Sequence, residues 1–334
     1  MPAVDHWRMF AEFCRYEKAV GGPSPHAAMV AGMIRGLPVQ EQVWRVGCYG
    51  GVYNTGGALA LWTALSRESV LGMGEPALRG WLKENWEGLP FRRERRAVRT
   101  PEKLARYLYS YALYSRDWPD RDWWHGAASR ANYEAGWHDV LSVYGVGRYI
   151  AIRMLELFSR SGAGTASYDI RALDAWSPRR TLSLLWPHHT QMLSRDLSRQ
   201  AAAGTEKIAN TTLQRLRDEF GVELSHYELQ VMTCEYRQSI EKRRQYPGRS
   251  IDSEDRYLRE ITPYWGAPVA EPGWRVRREL FPEVSLGELN GWQGARDELG
   301  TVAAVHGYTW SDLVYDYKAT TDLAHPAMRV EVHT

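Results

Sequence analysis

The chain has 334 residues, 44% hydrophobic and 25% charged, which is the balance of a folded domain and not of a disordered one. No apolar run approaches the roughly eighteen residues that a membrane helix needs; the N-terminal Met1–His6 lacks a basic segment followed by an apolar one, so a cytoplasmic protein with no membrane partner is expected. The net charge of +2 is unevenly spread: residues 250–334 carry 8 basic and 14 acidic residues, net −6, which leaves +8 on residues 1–249, the asymmetry of a polyanion binder with an acidic end.

In chain order the apolar spacing is helical. Trp7, Phe10, Ala11 and Cys14 recur at three and four residues, as do Leu104, Tyr107, Leu108 and Tyr111, and then Leu213, Leu216 and Phe220. Thr100-Pro101-Glu102-Lys103 opens a helix with proline in its first turn. A further helix runs from about His226 behind Ser225 to Arg244, before the break at Tyr246-Pro247-Gly248. Alternating strand patterns are scarce, the clearest being Met328–His333. The fold class is therefore mainly α. Prolines at 263, 268, 272 and 282 suggest a boundary, with a helical catalytic domain over 1–262 and an appended C-terminal extension over 263–334.

Cys14, Cys48 and Cys234 are too widely separated for a disulfide framework or an iron–sulfur or zinc ligand set, so no metal site is expected. Among fifteen tryptophans and nineteen tyrosines, most are expected in aromatic cores. Trp118, Trp123 and Trp124 stand in a charged stretch and are the better candidates for a ligand face that stacks on bases.

The segment Val143-Tyr-Gly-Val-Gly-Arg-Tyr-Ile-Ala151 reads as a glycine turn between two helices. Such a turn presents backbone N–H groups at the start of the second helix and binds an anion, commonly a DNA phosphate. No strand precedes it, which argues against a dinucleotide site, and no GxxxxGK[ST] phosphate loop occurs. Tyr168-Asp169-Ile170-Arg171 follows, with Asp169 22 residues beyond Gly147. On these features the chain resembles the helix-hairpin-helix DNA glycosylase superfamily. That resemblance implies a hairpin (Gly145, Gly147, Arg148, Tyr149) on the DNA backbone and an aspartate facing a flipped nucleotide. The Schiff-base lysine of bifunctional glycosylases is replaced here by Tyr149, which speaks against a lyase. The Leu-Pro start of the hairpin and the four-cysteine cluster of some members are also missing.

A wider resemblance rests on five segments in order: Val43–Tyr49, Glu84–Arg99, Tyr144–Glu156, Tyr168–Arg171 and Thr233-Cys-Glu-Tyr236. Together they resemble the phage amino acid:DNA transferases, or α-glutamyl/putrescinyl thymine pyrophosphorylases, over roughly Met1 to Tyr257. Membership implies a glycosylase-like helical core in the cytoplasm of an infected host cell. It also implies double-stranded phage DNA whose thymine positions carry phosphorylated or pyrophosphorylated 5-hydroxymethyluracil. An amine, from an amino acid such as glycine or serine or from a polyamine, displaces the phosphate group. No cofactor is implied, and any Mg²⁺ would enter with the pyrophosphate.

The residues suit that chemistry without requiring it. Arg92, Arg93, Arg95, Arg96 and Arg99 can hold a pyrophosphate or neighbouring DNA phosphates by bidentate contacts; the same run is equally the pattern of a solvated helix face, two of its members pairing with carboxylates. Asp169 can deprotonate an incoming ammonium or serve as a helix N-cap, and Arg171 beside it can neutralise a carboxylate or phosphate. Tyr168 flanks this pair. Glu235 is read chiefly as an ion-pair partner, and His125 and His138 as incidental histidines near an aromatic stretch. Cys48 could add to a pyrimidine C6, although a buried structural cysteine is the better reading. The rival functions are a monofunctional base-excision glycosylase and a non-catalytic DNA-binding module that uses the hairpin alone.

Overall fold

The helical spacing read from the sequence is realised in the computed structural model, which describes residues 5–19, 21–126, 129–162, 176–187, 199–242 and 248–281. All regular elements among them are helices. In chain order these are α1 (His6–Ala19), α2 (Pro25–Ile34), α3 (Val39–Val52), α4 (Thr55–Ala64), α5 (Arg67–Glu84), α6 (Pro101–Tyr114) and α7 (Asp122–His125). They continue as α8 (Arg130–Leu141), α9 (Arg148–Ser161), α10 (Trp176–Leu185), α11 (Arg199–Phe220), α12 (His226–Lys242), α13 (Arg249–Trp265) and α14 (Ala267–Leu280). Short 3₁₀ turns cover Trp86–Gly88, Arg93–Val98 and Ser115–Asp120. The protein is mainly α.

Local chemistry sets the helix starts. Thr100 accepts from the Lys103 N–H at 3.3 Å with Pro101 in the first turn of α6. Ser225 and Glu228 form a reciprocal capping box at α12: Ser225 Oγ accepts from the Glu228 N–H, and the Glu228 carboxylate accepts from the Ser225 N–H at 2.7 Å.

The helices fall into two units. Residues 25–169 and 250–281 form a hairpin unit (α2–α9, α13 and α14); the other unit draws its described helices, α1 and α10–α12, from residues 1–24 and 170–249. The division expected at 262–263 is therefore corrected. That point falls inside α13, and α14 packs into the hairpin unit, with Ala270, Gly273 and Val276 buried. Pro268 sits in the first turn of α14, where a missing N–H costs nothing, so the proline cluster starts a helix there. Residues 282–334, with the strand-like Met328–His333, lie outside the described residues.

In the hairpin unit α3 runs through the core with glycines on its α6 face. A Cβ at Gly47 would lie 2.0 Å from the Tyr111 ring, and a larger residue there would drive the helices apart. The tyrosines of α6 use this closeness: Tyr107 donates its hydroxyl to the Gly47 carbonyl at 2.8 Å and Tyr111 to that of Val43 at 2.6 Å. Trp118, Trp123 and Trp124 are only 1–3% exposed, stacked edge-on against Tyr111, Phe158 and one another. The ligand face expected of them is thus corrected: Arg116, Asp117, Asp120, Arg121 and Asp122 take the solvent side, while the indoles turn inward. In the other unit Phe10 and Phe13 pack on Tyr236, and Trp7 donates to the Leu185 carbonyl at 2.8 Å. No helix among the described residues is long and apolar enough to cross a membrane.

Candidate functional site

The glycines of Val143–Gly147 fold into the tight turn between α8 and α9. The Val146 N–H donates to the Val143 carbonyl at 3.2 Å. Gly145 sits at φ +72°, where a side chain is strained, and a Cβ there would stand 2.7 Å from Val98. Gly147 differs: it is extended (φ −96°), caps α9 and faces open space. The first N–H groups of α9 have no carbonyl partners within the helix, so an anion can approach closely at this cap. Arg148 and Tyr149 open α9 and are exposed. Behind them Ile150, Ala151, Met154, Leu155 and Phe158 bury the helix and fix the turn in place.

The arginine run does not form one patch. Its 3₁₀ turn sends Arg95 inward, 1% exposed, where Nη1 donates to the Gly145 carbonyl at 3.0 Å and Nε to the Gly51 carbonyl at 3.2 Å. Its guanidinium lies 5.1 Å from the Tyr107 ring centre. Arg95 therefore braces the hairpin from within, a correction to its expected place on a phosphate; burial lowers its pKa from the ordinary value. Arg92 pairs with Glu254 at 2.5 Å and lies near the rings of Tyr53 and Tyr257. Burial, the largest single influence, opposes its charge, but Glu254 together with Tyr53, Tyr49 and Tyr257 outweighs it and keeps the guanidinium protonated. Arg99 is exposed and donates to the Phe91 carbonyl at 2.9 Å. The side chains of Arg93 and Arg96 lie outside the description.

Sequence reasoning missed a buried cluster around Arg92. Tyr53, which ends α3, is the one non-glycine residue with positive φ (60°) among the described residues, an unfavourable conformation for an aromatic side chain. Neighbouring bonds hold it there: Asn54 donates to the carbonyls of Val52 (3.1 Å) and Pro90 (2.8 Å), and the Arg92 N–H donates to Val52 (3.2 Å). The Tyr53 hydroxyl meets that of Tyr149 at 2.7 Å and lies 3.3 Å from His26 Nε2. Tyr49 completes the aromatic wall, its ring 5.4 Å from Tyr53 and nearly parallel to His26 at 6.0 Å.

Charges line this wall. Glu254 is fully buried and also accepts from the Thr55 N–H at 2.7 Å. Glu156 and Arg153, both buried on α9, pair at 2.6 Å, and Glu156 also pairs with Arg160 at 2.9 Å. Burial, then Arg92, Arg153 and Arg160, push the His26 pKa well below its usual value, so the imidazole is neutral at pH 7. Burial raises the phenols of Tyr49 and Tyr53, which stay protonated. The buried side-chain atoms here without a hydrogen-bond partner among the described residues include His26 Nδ1, the Tyr49 hydroxyl, Arg92 Nε and Thr55 Oγ1.

Other expected site residues fall elsewhere. Tyr168, Asp169 and Arg171 lie outside the described residues. Cys48 is fully buried in α3 and burial raises its pKa well above the ordinary value, as the buried structural reading expects. His138 is exposed on α8, and Glu235 is half-buried on α12 in the other unit. No group of three or more metal-ligating side chains occurs among the described residues. Two signals for the missed cluster existed: Tyr49 and Tyr53 are one helical turn apart, and Arg153 and Glu156 interrupt an apolar helix. His26 and Glu254 had none.

An all-helical unit with a helix–hairpin–helix turn beside a buried, arginine-rich aromatic cluster has the makings of a protein that acts on an anionic, base-bearing substrate. The chain belongs to the amino acid:DNA transferase family, which matches residues 39–244, more than half of its length. The match takes in the hairpin, the arginine run and the Tyr168–Arg171 segment. No curated protein matches the chain.

Proposed function

We propose that this protein transfers the amine of an amino acid, such as glycine or serine, or of a polyamine, onto a modified thymine in double-stranded phage DNA. The acceptor is 5-hydroxymethyluracil whose hydroxymethyl oxygen carries phosphate or pyrophosphate. The observation that carries the reading is the family match, which spans the hairpin and the aspartate 22 residues beyond Gly147. The hairpin takes the DNA backbone through Gly147 and Arg148. The modified base leaves the stack, because displacement at its exocyclic carbon calls for an enclosed, dry site.

The amine nitrogen forms a bond to the C5 methylene carbon, and the bond from that carbon to the phosphate oxygen breaks, with its electron pair leaving on (pyro)phosphate. The donor arrives as an ammonium ion, so a proton must first be removed; Asp169 takes it, and Arg171 holds the donor's carboxylate. Arg92, charged and fixed by Glu254, supplies positive charge for the leaving group.

The test is product analysis. Duplex DNA carrying 5-(pyrophosphoryloxymethyl)uracil is incubated with the protein and glycine, serine or putrescine, then digested to nucleosides for mass spectrometry. Aminated thymidine with released pyrophosphate and intact strands is expected. A released free base would make the protein a glycosylase, and unchanged DNA that is nonetheless bound would make it a binding module.

A further inference from the structure

We propose that His26, Tyr49 and Arg92 form a second anion site, separate from the hairpin, for an oxyanion carried by one of the two substrates. The proposal rests on the transfer reading for the identity of those substrates, but its physical basis is independent of it. The Tyr49 hydroxyl, Arg92 Nε and His26 Nδ1 are buried and have no partner among the described residues. Leaving three such atoms unmade at one locus is costly unless a ligand completes them. Arg92 can only donate, a neutral phenol donates readily, and a neutral imidazole can donate from Nδ1 once Nε2 accepts from the Tyr53 hydroxyl. The missing partner is therefore rich in acceptors.

The groups are held in one place. His26 and Tyr49 stand 6.0 Å apart with nearly parallel rings, both pack against Tyr53, and the Arg92 guanidinium lies 5.6 Å from the Tyr53 ring centre. Glu254 grips Arg92 through Nη2 and so fixes the guanidinium while leaving its Nε edge unused. An oxyanion supplies these acceptors. Two sources are compatible: the phosphoryl oxygens on the modified base, and the carboxylate of the amino acid donor.

Tyr49→Phe isolates the proposal, because it removes a hydroxyl that makes no bond among the described residues and so leaves folding intact. Binding of inorganic pyrophosphate and of glycine is measured by calorimetry on the full chain, wild type and variant, together with the melting temperature and affinity for unmodified duplex. The wild type is expected to bind pyrophosphate without its displacing plain DNA, and Tyr49→Phe to weaken that binding about tenfold with DNA affinity unchanged. The same loss for glycine instead would assign the site to the donor's carboxylate. If the wild type binds neither probe, or Tyr49→Phe binds both as the wild type does, the proposal is overturned. Failure of the transfer reading would show separately, as absence of aminated DNA from the wild type.

Discussion

Arg95 donates from Nη1 to the carbonyl of Gly145 at 3.0 Å, so a cation drawn from the arginine run holds the hairpin turn from its buried side. The contact turns a residue that looks like a phosphate ligand into a positioning residue. Arg95→Met is expected to leave the Gly51 and Gly145 carbonyls without their donor and to cost about 2 kcal/mol of stability. Affinity for plain and pyrophosphorylated duplex should fall by the same factor, measured side by side by fluorescence anisotropy. A loss confined to pyrophosphorylated DNA would return Arg95 to the substrate.

The two hairpin glycines should part company on substitution. Gly145→Ala meets positive φ and Val98 together, and is expected to lower stability by about 2 kcal/mol in a denaturant titration. Gly147→Ala meets open space and should melt like the wild type. Gly147→Asp should fold equally well yet weaken DNA binding steeply, because it puts a negative charge where phosphate approaches. Wild-type binding should fall sharply with rising salt; affinity indifferent both to salt and to Gly147→Asp would remove the hairpin from the interface.

Residues 263–281 belong to the hairpin unit. Gly273 lets α14 come so close to α4 and α13 that a Cβ there would lie 2.6 Å from Leu258 and 2.9 Å from Leu59. Gly32 on α2 receives Val276 in the same way. A chain ended at residue 262 loses this whole apolar cover and is expected to show no cooperative thermal transition by circular dichroism. A sharp transition near that of the full chain would restore the view of 263–281 as an appendage.

His26 gives the fold an acid-sensitive element. Its pKa lies well below 6.5 in the folded state, from burial first and then from Arg92, Arg153 and Arg160, while the unfolded chain protonates near 6.5. Below that pH the unfolded state binds more protons, so stability falls as pH drops, by up to about 1.4 kcal/mol per pH unit. The stabilising share of His26 is fully present above pH 6.5 and is lost below it. Urea midpoints at pH 7 and pH 5.5 should differ more in the wild type than in His26→Gln. Equal differences would mean that His26 is protonated in place.

What was legible in the sequence is what neighbouring residues decide. The caps of α6 and α12, the apolar stripe of α1 and the Gly145–Gly147 turn all follow from interactions within a few residues, and the resemblance drawn from five short segments led to the family. Direction was not legible. Trp118, Trp123 and Trp124 stand among charges, yet the turn that exposes those charges points the indoles inward. In the same way, charge alone could not tell that Arg95 turns in while Arg99 stays out. Partnerships across distance were also hidden: Glu254 reaches Thr55 and Arg92, 199 and 162 residues away, and nothing in either local sequence announces the pairing. The split into two units was missed because the chain leaves the hairpin unit near residue 170 and returns at 250, and the charge change at 250 does not say that the returning helices pack back onto the first ones.

Asp169 carries the sharpest test of the proposed chemistry. An ammonium has no lone pair, so the amine must lose a proton before its nitrogen can attack the methylene carbon. A carboxylate at glycosylase-like spacing from the hairpin, with Arg171 to orient the donor, is the group expected to take that proton. Asp169→Asn keeps the shape and most hydrogen-bonding capacity, including that of a helix cap, but cannot accept the proton. Turnover on pyrophosphorylated DNA is expected to fall about a hundredfold or more, while melting temperature and affinity for plain duplex stay at wild-type values. Raising the pH supplies free amine from solution, so the deficit should narrow as pH approaches the pKa of the donor. A variant that turns over at the wild-type rate at neutral pH would place the base elsewhere.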